Sequence, residues 1–171
     1  MFPVPVKSQT KPMKKSKPEP LDRSALKHAA VDLLSRRDYS RQELWRKLSP
    51  KAASADDLDN VLNELSDNSW QSDERFGVMY LRSRTSRGLG PVRLRQELRM
   101  KGLDDDLTRD LMEQQSQDWQ GLATEVAQKK WSALKADDPR RFEKLYRFLA
   151  YRGFPSDVIR SVMEQFGTSN R

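Results

Sequence analysis

Apolar residues recur at three- and four-residue spacing along almost the whole chain after Asp22. Ala25, Leu26, Ala29, Ala30, Leu33 and Leu34 make the first such stripe, the pattern of an amphipathic helix. Ser40, with Glu43 three residues on, predicts a capping box opening a second short helix that ends near Leu48. Ser54 caps a third, with Leu58, Val61, Leu62 and Leu65 on one face. Ser72 or Asp73 opens a fourth through Phe76, Met79, Tyr80 and Ser83, and Gly88-Leu89-Gly90 breaks it with a turn. Pro91 suits a first helical position, and Gly102 closes that fifth helix as a left-handed residue. The sixth helix, over 104–114, points Leu107, Leu111 and Met112 inward. A longer seventh carries Trp119, Leu122, Ala123, Val126, Ala127, Lys130, Trp131 and Leu134 on one stripe. Asp138-Pro139 starts the eighth, which buries Phe142, Leu145, Tyr146 and Leu149 and ends at Gly153. The ninth runs from Ser156 through Val158, Ile159, Val162, Met163 and Phe166. No segment shows the alternation of a strand. The chain reads as all-α.

The order of these helices contains a repeat. Arg41-Gln42-Glu43-Leu44 returns as Arg95-Gln96-Glu97-Leu98, 54 residues later, and Lys101-Gly102-Leu103 returns as Arg152-Gly153-Phe154, 51 residues later. Each match falls in the middle helix of a group of three, or at its end. Leu98 to Lys101-Gly102 and Leu149 to Arg152-Gly153 share one scheme; the first copy has Leu44 and Lys47, but Leu48 stands where glycine is expected. Three tandem three-helix units of about 50 residues follow. Units this small lean on their neighbours, so the expected shape is an elongated, curved array.

Charge changes the picture at two places. Residues 1–20 hold five of the nine prolines and five lysines against Glu19, and no apolar periodicity, which predicts a disordered basic tail. That tail carries +4 of the net +7. Between Arg75 and Lys101, eight basic residues face one acid, Glu97, and residues 102–118 then reverse the sign. All but one of those eight are arginine, whose guanidinium forks carboxylates and phosphates. Arg95 and Arg99 are one turn apart and can share a face. A solvated face that keeps the chain soluble is the alternative reading.

Several chemistries lack material. There is no cysteine and one histidine, His28, expected on the polar side of the first helix, so thiolate zinc sites and cysteine nucleophiles are excluded. Phosphate-loop and dinucleotide motifs are missing. Asp104-Asp105-Asp106 reads as a helix start whose acids complement the dipole, and Trp45, Trp70, Trp119 and Trp131 read as packing residues. The expectation is a non-enzyme without cofactor or metal, in the cytoplasm, with neither signal peptide nor membrane span.

The chain resembles a known family, the RecX regulatory proteins, which modulate the bacterial recombinase RecA. The resemblance runs from about Arg23 to Phe166. It rests on Tyr39-Ser40-Arg41-Gln42-Glu43-Leu44 with Lys47-Leu48, then Asp73-Glu74-Arg75-Phe76. It continues in Arg87-Gly88-Leu89-Gly90-Pro91, Arg95-Gln96-Glu97-Leu98 and Lys101-Gly102, and closes with 147–154. It implies three tandem three-helix repeats, in agreement with the repeat above. It also implies a regulator, mainly an inhibitor, lodged in the groove of the RecA–DNA filament, where it hinders recombinase, ATPase and coprotease activity and so modulates recombination, DNA repair and the SOS response. On that reading a monomer contacts the filament, and weakly and without sequence preference DNA, through Arg82, Arg84, Arg87, Arg93, Arg95, Arg99 and Lys101. Lys47 and Arg152 join them from equivalent repeat positions. The expected division is a tail at 1–21, repeats at 22–70, 71–115 and 116–167, and a flexible end at 168–171. The rival expectation is a stand-alone helical DNA-binding protein such as a repressor, reading bases with the helix at 91–101.

Overall fold

The computed structural model describes residues 19–168. Among them are nine α-helices: α1 (Arg23–Leu34), α2 (Arg41–Leu48), α3 (Ala55–Asp67), α4 (Asp73–Thr85), α5 (Pro91–Met100), α6 (Asp105–Gln114), α7 (Trp119–Ala133), α8 (Arg141–Arg152) and α9 (Ser156–Thr168). One 3-10 turn, Ser49–Lys51, follows α2. The helix starts are set by side chains that accept orphan first-turn N–H groups: Asp22, Ser40, Ser54, Ser72, Asp104 and Asp118. The Ser40 cap stands where the sequence puts it, with Glu43 N–H donating to Ser40 Oγ at 3.1 Å, but the Glu43 carboxylate turns to Lys101 and Arg37 and leaves the capping box half made. Asp104 caps α6 by accepting from Leu107 N–H at 2.7 Å. The eighth helix starts later than Asp138-Pro139, because Asp138 first closes a turn on the N–H groups of Arg140 and Arg141.

The expected tail lies largely outside the described residues. Leu21, at its end, is bonded through its backbone to Lys51 and Ala53 beyond α2.

Helix packing is concentrated inside successive groups of three, and each group has its own core. Leu26, Ala30, Leu44, Leu58, Val61, Leu62 and Leu65 fill the first. Phe76, Leu81, Leu94, Leu98, Leu103 and Leu111 fill the second, and Ala123, Ala127, Leu145, Leu149, Ile159 and Val162 the third. A core this narrow takes only a thin stripe from each helix. Flanking residues expected inside are therefore left out: Met79 is 53% exposed and Tyr146 46%, while Phe142, at 38%, lies edge-on to Trp131. Trp45 and Trp70 are also exposed rather than packed between helices; Trp119 and Trp131 do pack against the second and third cores.

The groups are joined by one recurring contact. Gly153, at φ +87°, ends α8 and places its own carbonyl and that of Arg152 on the start of α5, where Val92 N–H and Gly90 N–H donate to them at 3.0 and 2.7 Å. Gly102, at φ +90°, follows α5 in the same way and lies on the first turn of α2, against Gln42. There Ser40 Oγ donates to Lys101 O at 2.6 Å and the Arg46 guanidinium to Met100 O at 2.9 Å. Leu48, in the glycine's place in the first group, closes a helix that has no described unit before it to dock upon.

A Cβ at Gly153 would stand 2.5 Å from the backbone nitrogen of Arg93, and one at Gly102 would stand 2.5 Å from the Cβ of Gln42. The left-handed conformation adds about 1–2 kcal/mol for any L side chain. Gly153→Ala is thus expected to lower the melting temperature by on the order of 5 °C. Gly102→Ala, which meets a side chain rather than backbone, costs less. Thermal unfolding followed by circular dichroism checks both, and an unchanged melting temperature in Gly153→Ala would refute the docking role.

Candidate functional site

The basic stretch of the second group divides into cations that hold the fold together and cations left outward. The division follows from two glutamates at the same repeat position, Glu43 and Glu97. Glu97 accepts from Arg93 Nε at 2.9 Å and from the Tyr80 hydroxyl at 2.9 Å, with Arg84 Nε 3.5 Å away. Glu43 accepts from Lys101 Nζ at 2.7 Å and from Arg37 at 3.2 Å. Phe148 occupies the corresponding place in the third group, and there the cations Lys130 and Arg152 lie over its ring at 5.1 and 4.9 Å. A carboxylate or a ring face thus fills one structural role, gathering positive charge.

Burial alone would push the Glu97 carboxyl up, but the hydrogen bonds from Arg93 and Tyr80 and the nearby charges of Arg84 and Arg93 outweigh it and hold it below its ordinary value. Glu43 is lowered in the same manner, burial being overcome by Lys101 and Arg37. Burial, and the Glu97 carboxylate next to it, push the Tyr80 phenol up, so it stays a donor at neutral pH.

The nine cations picked out from sequence do not form one face. Arg84 and Arg93 converge on Glu97, and Arg84 also lies over Tyr80, 4.9 Å from its centroid. Arg93 donates to Tyr151 O and lies over the Tyr151 ring, tying α5 to α8. Lys101 ties the second group to the first through Glu43, and Arg152 donates to Arg87 O at 2.5 Å. Arg99 pairs with Asp105 at the start of α6 at 2.8 Å, in the open. Lys47 is exposed, 5.9 Å from the Tyr39 centroid. Arg82, Arg87 and Arg95 are exposed, and their side chains have no partner among the described residues. Arg82 borders a groove formed with Leu111 and Gln114 of α6 and with Gln115 just past its end.

Two cations escaped the sequence reading. Lys129 and Lys130 of α7 face Arg87 and Arg152 across a cleft. Lys130 sits inside an apolar stripe, so periodicity absorbs it; the adjacent pair of lysines was the available signal. Among the described residues no cluster of His, Asp and Glu is arranged to hold a metal ion, and no helix is long and apolar enough to cross a membrane.

Three linked three-helix units, with outward arginines on the second, define an all-α helical-repeat protein. Family models for the first, second and third three-helix domains of RecX match residues 27–65, 72–112 and 117–163 in that order, and the chain belongs to the RecX family of regulatory proteins. It is 45% identical over 139 residues to the regulatory protein RecX of Chromobacterium violaceum, covering 81% of this chain and 89% of that one. It is 40% identical over 146 residues to that of Neisseria meningitidis serogroup C, covering 85% and 94%. The crystal structure of RecX from Lactobacillus salivarius has the same fold, with a TM-score of 0.73 at 23% identity over 85% of this chain and 97% of that one.

Because the Glu97 carboxyl titrates lower in the folded chain than in the unfolded one, its stabilising contribution is full above the unfolded value and is lost as pH falls through the folded value. Glu97→Gln is therefore expected to lose on the order of 1 kcal/mol at neutral pH. The gap from the parent chain should close as pH drops below about 4. Urea unfolding at both pH values tests this, and a gap that stays constant with pH would refute the ion-pair role.

Proposed function

We propose that this chain is a regulator, mainly an inhibitor, of RecA, binding in the groove of the RecA–DNA filament and so modulating recombination, repair and the SOS response. The observation that carries the reading is family membership across nearly the full length of the RecX relatives. It acts by binding alone, as a monomer in the cytoplasm. The outward cations Arg82, Arg87 and Arg95, together with Arg99 and Lys47, make the contact. Arg84, Arg93, Lys101 and Arg152 are engaged within the fold and help to set its shape. The boundaries 22–70, 71–115 and 116–167 divide the contact surface among three repeats.

A stand-alone base-reading protein finds less support. On α5, Arg93 is held by Glu97 and Tyr151, and Arg99 by Asp105. Arg95 and Gln96 remain, a short alphabet for direct readout.

DNA-dependent ATP hydrolysis by RecA, with this protein titrated from far below to above the RecA concentration, is the test. Inhibition well below one molecule per RecA is expected. The double variant Arg82→Glu/Arg95→Glu should need on the order of tenfold more protein for the same inhibition, with helicity unchanged. No inhibition by the folded parent chain would overturn the reading.

A further inference from the structure

The first group carries an apolar patch that no described element covers. Trp70, just past α3, is 54% exposed, yet its backbone is fixed on both sides. Its N–H donates to Leu65 O at 2.9 Å, and its carbonyl accepts from the Arg75 guanidinium at 2.9 Å. Ser69 before it takes the left-handed φ of +59°, which is unfavourable for an L side chain. The indole N–H has no acceptor among the described residues. With His28 and Val31 of α1 this ring lines a groove of about 670 Å³ that runs from Ser24 to Ser35, about 16 Å of helix. The charged residues along it are already paired, Lys27 with Glu64 and Asp32 with Arg36, so the groove favours an uncharged, apolar occupant.

The chain itself supplies one of the right length. Phe2-Pro3-Val4-Pro5-Val6 is an uncharged apolar run. Its prolines disfavour helix for Phe2 and Val4, and five residues of polyproline II span about 15 Å, the length of the groove. That conformation leaves its carbonyls free to accept from an indole N–H, and aromatic-lined grooves are the usual seat of such segments. Residues 7–18 then bridge to Glu19. Those twelve residues reach about 40 Å, whereas the far end of the groove is within about 35 Å of Glu19 by way of α1.

Charge agrees with that route. Leu21 O accepts from Ala53 N–H at 2.9 Å, so the chain before it leaves the fold beside the start of α3. That helix carries five acids and no cation, and it ends three residues before Trp70. Asp56 and Asp67, exposed at its two ends, pair with no cation among the described residues. Residues 7–18 hold Lys7, Lys11, Lys14, Lys15 and Lys17 and no acid. We propose that residues 2–6 of this same chain occupy the groove between α1 and Trp70, with the lysines of 7–18 along the acids of α3. A tether this short holds the segment at an effective concentration on the order of millimolar, which favours its own groove over that of a second copy. The contact needs no RecA.

The test uses the full chain, which has no cysteine of its own, with Ser8→Cys carrying a nitroxide two residues past the docked segment. The readout is the intensity of the four tryptophan indole N–H signals in a nitrogen-15 spectrum, that of Trp70 being assigned by Trp70→Phe. Trp70 is expected to lose most of its intensity to the nitroxide, while Trp119 and Trp131 keep theirs. Val4→Asp/Val6→Asp, which changes no residue of the nine helices, should restore the Trp70 signal. In a mixture of unlabelled nitroxide-bearing chain with nitrogen-15 chain lacking the nitroxide, that signal should stay whole. Loss there would put the segment on a second copy and overturn the proposal. So would a Trp70 signal untouched by the nitroxide, or equal loss at all four tryptophans. Loss that persists in Val4→Asp/Val6→Asp would overturn it too, since the lysines alone would then hold the segment. RecA is absent throughout, so the filament reading stands or falls separately.

Discussion

Head-to-tail docking of the middle helices sets the position of every other part of this array. A helix begins with N–H groups that lack acceptors and ends with carbonyls that lack donors. Between the second and third units, leftover acceptors at the end of α8 meet leftover donors at the start of α5, and between the first and second the Ser40 and Arg46 side chains take the donors' part. The start of α5 has no side-chain cap, because Arg152 and Gly153 of α8 supply the carbonyls that a cap would have supplied. The partial charges at the two helix ends are also opposite in sign. A turn at φ near +90° is needed to present those carbonyls, and the backbones come too close for a Cβ. That is the physical content of the two glycines at corresponding places, and of the leucine where no docking occurs.

The same constraint decides what the charged residues can do. Once α5 and α8 are joined, Arg93 reaches Tyr151 and Glu97 together, and Arg152 reaches the turn at Arg87. These guanidiniums act as struts between units. The cations free to meet a partner are those that the docking leaves outside, and they differ from the set that charge density alone suggests.

Periodicity and caps made the helices legible: Ser40, Ser54 and Ser72 cap where their spacing puts them, and Gly102 closes α5 in the left-handed region. The tandem units were legible too, because the Arg-Gln-Glu-Leu motif returns in register. What the motif does was hidden. Glu43 and Glu97 look like solvated helix acids until their partners are placed, and Lys101 comes to Glu43 from 58 residues away. The exposed Trp45 and Tyr146 were missed for a related reason. A heptad-like stripe says which side of a helix is apolar, but its buried width depends on how many neighbours that helix has, and within a three-helix unit that number is small.

The two junctions are built from different material, and this bears on how the array meets a partner. Between the first and second units the contacts are largely side-chain and ionic, with Lys101 on Glu43, Arg75 on Asp38 at 3.1 Å and Arg41 N–H on Asp73 at 2.7 Å. Ionic strength weakens exposed pairs of that kind. Between the second and third units, backbone bonds backbone, and the turn at Gly88 rests on Val126. Those contacts are indifferent to salt. The walls of the cleft between α4, α7 and α8 are therefore set by backbone bonds and packing, with the Arg93 and Arg152 guanidiniums donating to backbone carbonyls beside them, before any ligand arrives, and a preorganised wall gives up less freedom on binding. Here that economy follows from a repeat in which α5 and α8 end on glycine.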